Sequence, residues 1–228
     1  MEEDGIRVRR PGRGLGIAAL VLLLVGVVLG GGIFVLGRSL VTGTQLQSEH
    51  MSPAYARGDR IAFRNGREVG RGDIVLFRGS AWGENRNVIE RVVAVGGDVI
   101  AYERGADRFT LNGKPLEEPY LRGGDPVAAT PDPFRVTVPE GRLFLMGDRR
   151  GNSYDSRLRL EENDGTVPVS DVIGVEWPAG PTALMVGGLL LLFSAGLLLT
   201  GTGLGIAWLV ERRKPAPVPP VWGSAIPE

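Results

Sequence analysis

Two long runs without a single charged residue bracket this chain, and they restrict its possible folds more than any other feature. The first covers residues 14–37 and the second residues 182–210, and both are dominated by Leu, Val, Ile and Gly. Each exceeds the roughly 20 residues that a helix needs to cross about 30 Å of hydrocarbon. Both are therefore read as transmembrane helices. A cleavable leader is the rival reading of the first run, but its apolar core would be only about 7–15 residues long, and the small residues after this run make a poor cleavage site. A buried core helix is the rival for the second, and an uncharged stretch of this length argues against it. Arg7, Arg9, Arg10 and Arg13 precede the first run, while Arg212, Arg213 and Lys214 follow the second. Cations concentrate on cytoplasmic flanks. The expectation is a double-pass protein of the cell membrane with both termini in the cytoplasm: a cytoplasmic segment 1–13, a helix 14–37, an extracytoplasmic domain 38–181, a helix 182–210 and a Pro-rich cytoplasmic tail 211–228.

Between the two runs, short stretches rich in β-branched and aromatic residues alternate with Gly, Pro, Asn and Asp. Strands are expected at 60–64, 73–77, 88–95, 98–103, 109–111, 134–138, 143–146 and 172–177, with Asn112-Gly113 as a hairpin turn. Residues 123–133 read as a surface loop. No long amphipathic pattern competes, so the external part is expected to be mainly antiparallel β. The 26 basic and 26 acidic residues balance, which removes any general electrostatic case for nucleic acid. The absence of cysteine excludes disulfides, zinc thiolates and a cysteine nucleophile. With one histidine in the chain, no metal site and no cofactor is expected.

Three segments carry the most specific signal. They are Ser48-Glu49-His50-Met51-Ser52-Pro53, then Val88-Ile89-Glu90-Arg91-Val92-Val93-Ala94-Val95-Gly96-Gly97-Asp98, then Met146-Gly147-Asp148-Arg149-Arg150-Gly151-Asn152-Ser153-Tyr154-Asp155-Ser156-Arg157. Together they resemble bacterial signal peptidase I, the membrane-anchored serine endopeptidase that removes signal peptides from secreted preproteins. The resemblance covers nearly all of residues 41–177. It implies a nucleophilic serine immediately before Met51 and a lysine base immediately before Arg91. Ser48 then takes the oxyanion-donor role, and Met51 and Pro53 match the pattern next to the substrate. Ser153 would hydrogen-bond the base, Asp148 would pair with Arg91, and Asp155 with Arg157 would support the site. The first segment follows the membrane run by only about a dozen residues, so signal peptides or preproteins at the surface of the lipid bilayer are the implied partners.

The two positions that should hold the chemistry carry His50 and Glu90 instead. An imidazole is not an efficient substitute for the hydroxyl, and a carboxylate cannot serve as the amine. Loss of such a nucleophile costs on the order of 10⁶ in rate. The only lysines, Lys114 and Lys214, fall in a hairpin and on the cytoplasmic flank. The leading expectation is a pseudopeptidase in which a His50–Glu90 hydrogen bond or ion pair fills the old dyad space and keeps both groups charged. A second reading notes that Ser48, His50 and Ser52 alternate, so that in an extended segment they share one face. Ser52, with Ser48 as the lesser candidate, would then be the nucleophile, His50 its base and Glu90 the orienting carboxylate. A third is a membrane-tethered structural domain without a peptide ligand.

Overall fold

The computed structural model describes residues 13–214. Arg7, Arg9 and Arg10, with the segment 1–12 and the tail from Pro215 onward, lie outside the described residues. The chain divides into two units, a pair of helices and a β domain spanning Leu36–Met185.

The helices, α1 (Arg13–Leu40) and α2 (Gly180–Arg213), contain both apolar runs. Each is long and apolar enough to cross a membrane, and only 11% of the most apolar stretch of α1 and 6% of that of α2 is buried. A core helix of a soluble domain would bury most of that surface. The helices run antiparallel and meet through small residues. A Cβ on Gly16 would meet Trp208, one on Gly201 would meet Leu23 and the Ala19 carbonyl, and the Ser194 hydroxyl donates to the Gly26 carbonyl at 2.7 Å. Close backbone approach of this kind holds helices together where no hydrophobic drive exists between them.

The other unit is built from eleven strands: β1 (Val41–Gln45), β2 (Arg60–Arg64), β3 (Ile74–Arg78), β4 (Asn87–Val95), β5 (Val99–Tyr102), β6 (Thr110–Leu111), β7 (Lys114–Pro115), β8 (Phe134–Thr137), β9 (Arg142–Met146), β10 (Val167–Pro168) and β11 (Val172–Glu176). A seven-stranded sheet runs β1-β2-β11-β3-β4-β9-β10 and a four-stranded sheet runs β7-β6-β5-β8. Every pairing is antiparallel. Asn112 and Gly113 both take positive φ, the geometry of a two-residue hairpin turn, and they join β6 to β7.

Alternation along the strands sorts the core. Val75 and Phe77 of β3, Val88 and Val92 of β4, and Leu143 and Leu145 of β9 fill one face of the larger sheet. Ile61 and Phe63 of β2, Ile74 and Leu76 of β3, and Ile89 of β4 fill the other, together with Leu46 and Met51. A register shift between Val92 and Ala94 then lets Val93 and Ala94 join Phe144, Met146, Ile100 and Phe134 in a third cluster, which packs the small sheet. Central strand β4 is thus buried on both sides, and Glu90 sits on it between Val88 and Val92.

Candidate active site

The first motif does not continue β1 as an extended segment. Its backbone turns, with Ser52 N–H donating to the Glu49 carbonyl at 3.0 Å and Tyr55 N–H to the Met51 carbonyl at 2.9 Å. The shared face expected for Ser48, His50 and Ser52 is therefore not formed. Met51 is fully buried among Leu46, Phe63 and Leu76, and neither it nor Pro53 lines the cleft beside the motif. The turn puts Met51 into the core rather than toward a substrate. The backbone is pinned to the third motif by Arg149 N–H donating to the His50 carbonyl at 2.8 Å and by an ion pair between Arg149 and Glu49.

The turn aims His50 across the end of β4. Its Nε2 lies 2.7 Å from the Ile89 carbonyl and its Nδ1 is hydrogen-bonded to the Ser48 hydroxyl. A carbonyl only accepts, so Nε2 carries the proton, and in the neutral ring Nδ1 accepts from Ser48. Both ring nitrogens are engaged, which leaves none for Ser52 and corrects its assignment as the nucleophile of a triad. The Glu90 carboxyl is 3.8 Å from Nε2, beyond hydrogen-bond length.

Neither partner is driven toward its charged form. Burial lowers the basicity of His50, with the Ile89 carbonyl opposing and Arg86 adding to the effect. Glu90 is 3% exposed, and burial, followed by the like charges of Asp155 and Asp148, pushes its carboxyl well above the usual carboxylate range. The expectation that these residues keep one another charged is overturned, because desolvation on the apolar face of β4 outweighs a contact of 3.8 Å.

Around Glu90 lies a buried ionic frame. Arg91 donates to both Asp148 oxygens at 2.7 and 2.6 Å and its guanidinium lies over the Tyr120 ring. Asp155 accepts from Arg157 Nε and Nη2 at 2.9 Å, and from the Gly147 N–H at 3.1 Å. Arg157 also donates to the Ala128 carbonyl at 2.7 Å and the Arg150 carbonyl at 2.9 Å. Arg150 pairs with Glu118, with both side chains almost fully buried. This last pair was not anticipated: its members are 32 residues apart, and nothing in the local pattern around Glu118 announces it. The loop 123–133, expected only as surface, buttresses the frame through the carbonyls of Pro126 and Ala128.

Ser153 is buried beside this frame, but its hydroxyl finds no hydrogen-bond partner among the described residues. Its expected bond to residue 90 is absent, and Oε2 of the Glu90 carboxyl is itself unpartnered. In front of these groups opens a cleft of about 320 Å³, lined among others by Ser48, His50, Arg86, Glu90, Asn152 and Tyr154. No cluster able to hold a metal ion occurs among the described residues.

The family model described as signal peptidase, peptidase S26, matches residues 16–177. A probable signal peptidase I of Mycobacterium leprae is 41% identical, over 42% of this chain and 41% of that protein. Signal peptidase IB of Staphylococcus aureus is 30% identical over 55% of this chain and 72% of its own length. The crystal structure of a signal peptidase I from Enterococcus faecalis is matched at 30% identity, covering 48% of this chain and 97% of that one, with a TM-score of 0.38. The chain spans about two fifths of the length of the mycobacterial relative.

Proposed function

The chain belongs to the signal peptidase family of peptidase S26, and from that membership we propose that it holds signal peptides, or similar segments of preproteins, at the membrane surface without serine–lysine hydrolysis. One observation carries this reading. The nucleophile position holds His50 with both ring nitrogens hydrogen-bonded, and the base position holds Glu90 as a buried carboxyl with no lysine near it. The frame of Arg91–Asp148 and Asp155–Arg157 is nevertheless complete. A cleft kept in shape without its dyad suits binding, and an extended peptide added beside a strand needs no nucleophile.

The two helices fit membrane association. The cations flanking them support a reading with both termini in the cytoplasm and the β domain outside, the side from which signal peptides would be held. Photo-crosslinking tests the binding. A photoreactive residue at Tyr154, which is exposed at the cleft, is expected to capture a signal peptide in detergent, with capture suppressed by excess unlabelled peptide. Absence of peptide-competable capture would overturn the reading in favour of a tethered structural domain.

A further inference from the structure

The Ser48–His50 pair has the arrangement of an activated nucleophile, displaced by two residues from the position that the family frame assigns to it. A hydroxyl becomes a nucleophile when a neutral base accepts its hydrogen bond and a third group fixes that base in the right tautomer. All three parts are present. The Ser48 hydroxyl meets His50 Nδ1, the imidazole is held neutral by its surroundings, and the Ile89 carbonyl at 2.7 Å retains the proton on Nε2. Ser48 is exposed and lines the cleft, whereas His50 is largely covered, with a side-chain exposure of 15%. The nucleophile therefore faces the solvent side while its base is shielded. Arg86 lines the same cleft, is anchored at Nε by Glu84 at 2.7 Å and lies near enough to His50 to lower its basicity, so the cleft carries a cation on the side of the pair.

We propose that Ser48 is a catalytic nucleophile and His50 its general base, together cleaving an acyl bond in a peptide laid along this cleft. The substrate class rests on the peptide-binding reading above, while the chemistry of the pair does not. Ser48 Oγ attacks the carbonyl carbon as its proton passes to His50 Nδ1, and the carbonyl π electrons move to oxygen. Collapse of that intermediate breaks the bond to the leaving group, which takes the proton from Nδ1. Water, deprotonated by the same nitrogen, then releases the acyl group as a carboxylic acid and restores Ser48. The imidazolium formed in each half has no hydrogen-bonded carboxylate behind it, because Glu90 lies 3.8 Å away and burial pushes its carboxyl toward the protonated form. Good leaving groups are favoured accordingly, so an ester carried by the bound peptide is hydrolysed faster than its amide bonds.

The test uses the full chain in detergent with a fluorophosphonate probe, and mass spectrometry to locate the adduct. Labelling is expected on Ser48, abolished by Ser48→Ala and unchanged by Ser52→Ala. His50→Gln should slow it by about 100-fold or more, the usual loss for a general base, with a melting temperature confirming that the variant is folded. The labelling rate should fall as pH drops through the titration of His50, which is faced by Arg86, Glu90, Asp148 and Asp155. An adduct on Ser52, a folded protein that leaves Ser48 unlabelled, or a Ser48 rate indifferent to His50→Gln would overturn the proposal. Because the probe is small and needs no peptide site, labelling without peptide crosslinking would instead fault the binding reading alone.

Discussion

Glu90 should make the protein less stable as pH rises from mildly acidic to neutral, the reverse of what an ion-paired carboxylate does. In the folded state burial and the charges of Asp155 and Asp148 push the carboxyl toward its protonated form, well above its ordinary value. In the unfolded chain it ionises near its ordinary value of 4.5. Between that value and the raised folded one, the folded state binds one more proton than the unfolded state, so stability falls by about 1.4 kcal/mol per pH unit. For a domain of this size that is about 3–6 °C in melting temperature per pH unit. Glu90→Gln removes the titration. A buried amide with an unmet hydrogen bond adds a cost of about 1–3 kcal/mol that is independent of pH, so the slope decides and the offset does not. His50 works in the opposite sense. Its folded basicity is lowered, so stability is lost as pH falls below 6.5, and this contribution is common to both proteins and cancels in their difference. The assay is thermal unfolding of parent and variant in one detergent across a pH series that starts near 4.5. The melting temperature of the variant minus that of the parent should climb with pH and then level off. Parallel curves would refute the reasoning, because they would mean that Glu90 ionises equally in both states.

Asp155→Ala strands the fully buried guanidinium of Arg157, a change worth about 3–5 kcal/mol, and differential scanning fluorimetry should show a large drop in melting temperature with little change in far-ultraviolet ellipticity below it. The double substitution His50→Ser with Glu90→Lys, placed in the intact Arg91–Asp148 and Asp155–Arg157 frame, should cleave a preprotein amide bond well above the rate of the parent in a gel-based processing assay; equal rates would show that the substrate surface has changed as well. The chain has no native cysteine, and a Cβ built on Gly205 lies 3.9 Å from that of Ala19. Ala19→Cys with Gly205→Cys should therefore form an intrachain disulfide under mild oxidant, since Cβ separations of 3.5–4.5 Å permit one, and a faster-migrating band on non-reducing gels reports it. Gly201→Leu, which would drive a side chain into Leu23 and the Ala19 carbonyl, should suppress that disulfide.

Much of the β domain was legible because the strands that build its core alternate or run apolar. Residues 60–64 form β2 with those bounds, and β4, β8, β9 and β11 differ from the expected spans by a residue or so at an end. The strands β1, β7 and β10 escaped the sequence reading for a common reason: Val-Thr-Gly-Thr-Gln, Lys-Pro and Val-Pro have no apolar periodicity, and they exist only because a neighbouring strand supplies hydrogen-bond partners. The site was legible as a set of residues and illegible as a geometry. The resemblance to the family paired Arg91 with Asp148 and Asp155 with Arg157, but the reading of residues 48–52 as extended failed because the chain turns at Glu49. That single turn removes Ser52 from His50 and leaves Ser48 as its partner. Ionisation was illegible for another reason. An acid and a base at paired positions suggest attraction, and only the burial of Glu90 between Val88 and Val92 shows that desolvation wins.

The ionic frame explains why a glutamate can stand where the resemblance puts a lysine. Three guanidiniums, Arg91, Arg150 and Arg157, each have their own carboxylate in Asp148, Glu118 and Asp155. The frame is therefore electrically closed before residue 90 is counted, and that residue lies in apolar surroundings with no spare countercharge. Burial pushes whatever occupies it toward its neutral form, and the neighbouring Asp155 and Asp148 add to that push for a glutamate and oppose it for a lysine. For a lysine, neutrality means a free amine, which is the base that the family reaction requires. For Glu90, burial favours the protonated acid, which has a proton to give rather than a site to take one from a hydroxyl. The surroundings are the same and the proton's direction is reversed. For a Ser48 nucleophile the base would come from elsewhere, from His50 Nδ1, already hydrogen-bonded to that hydroxyl.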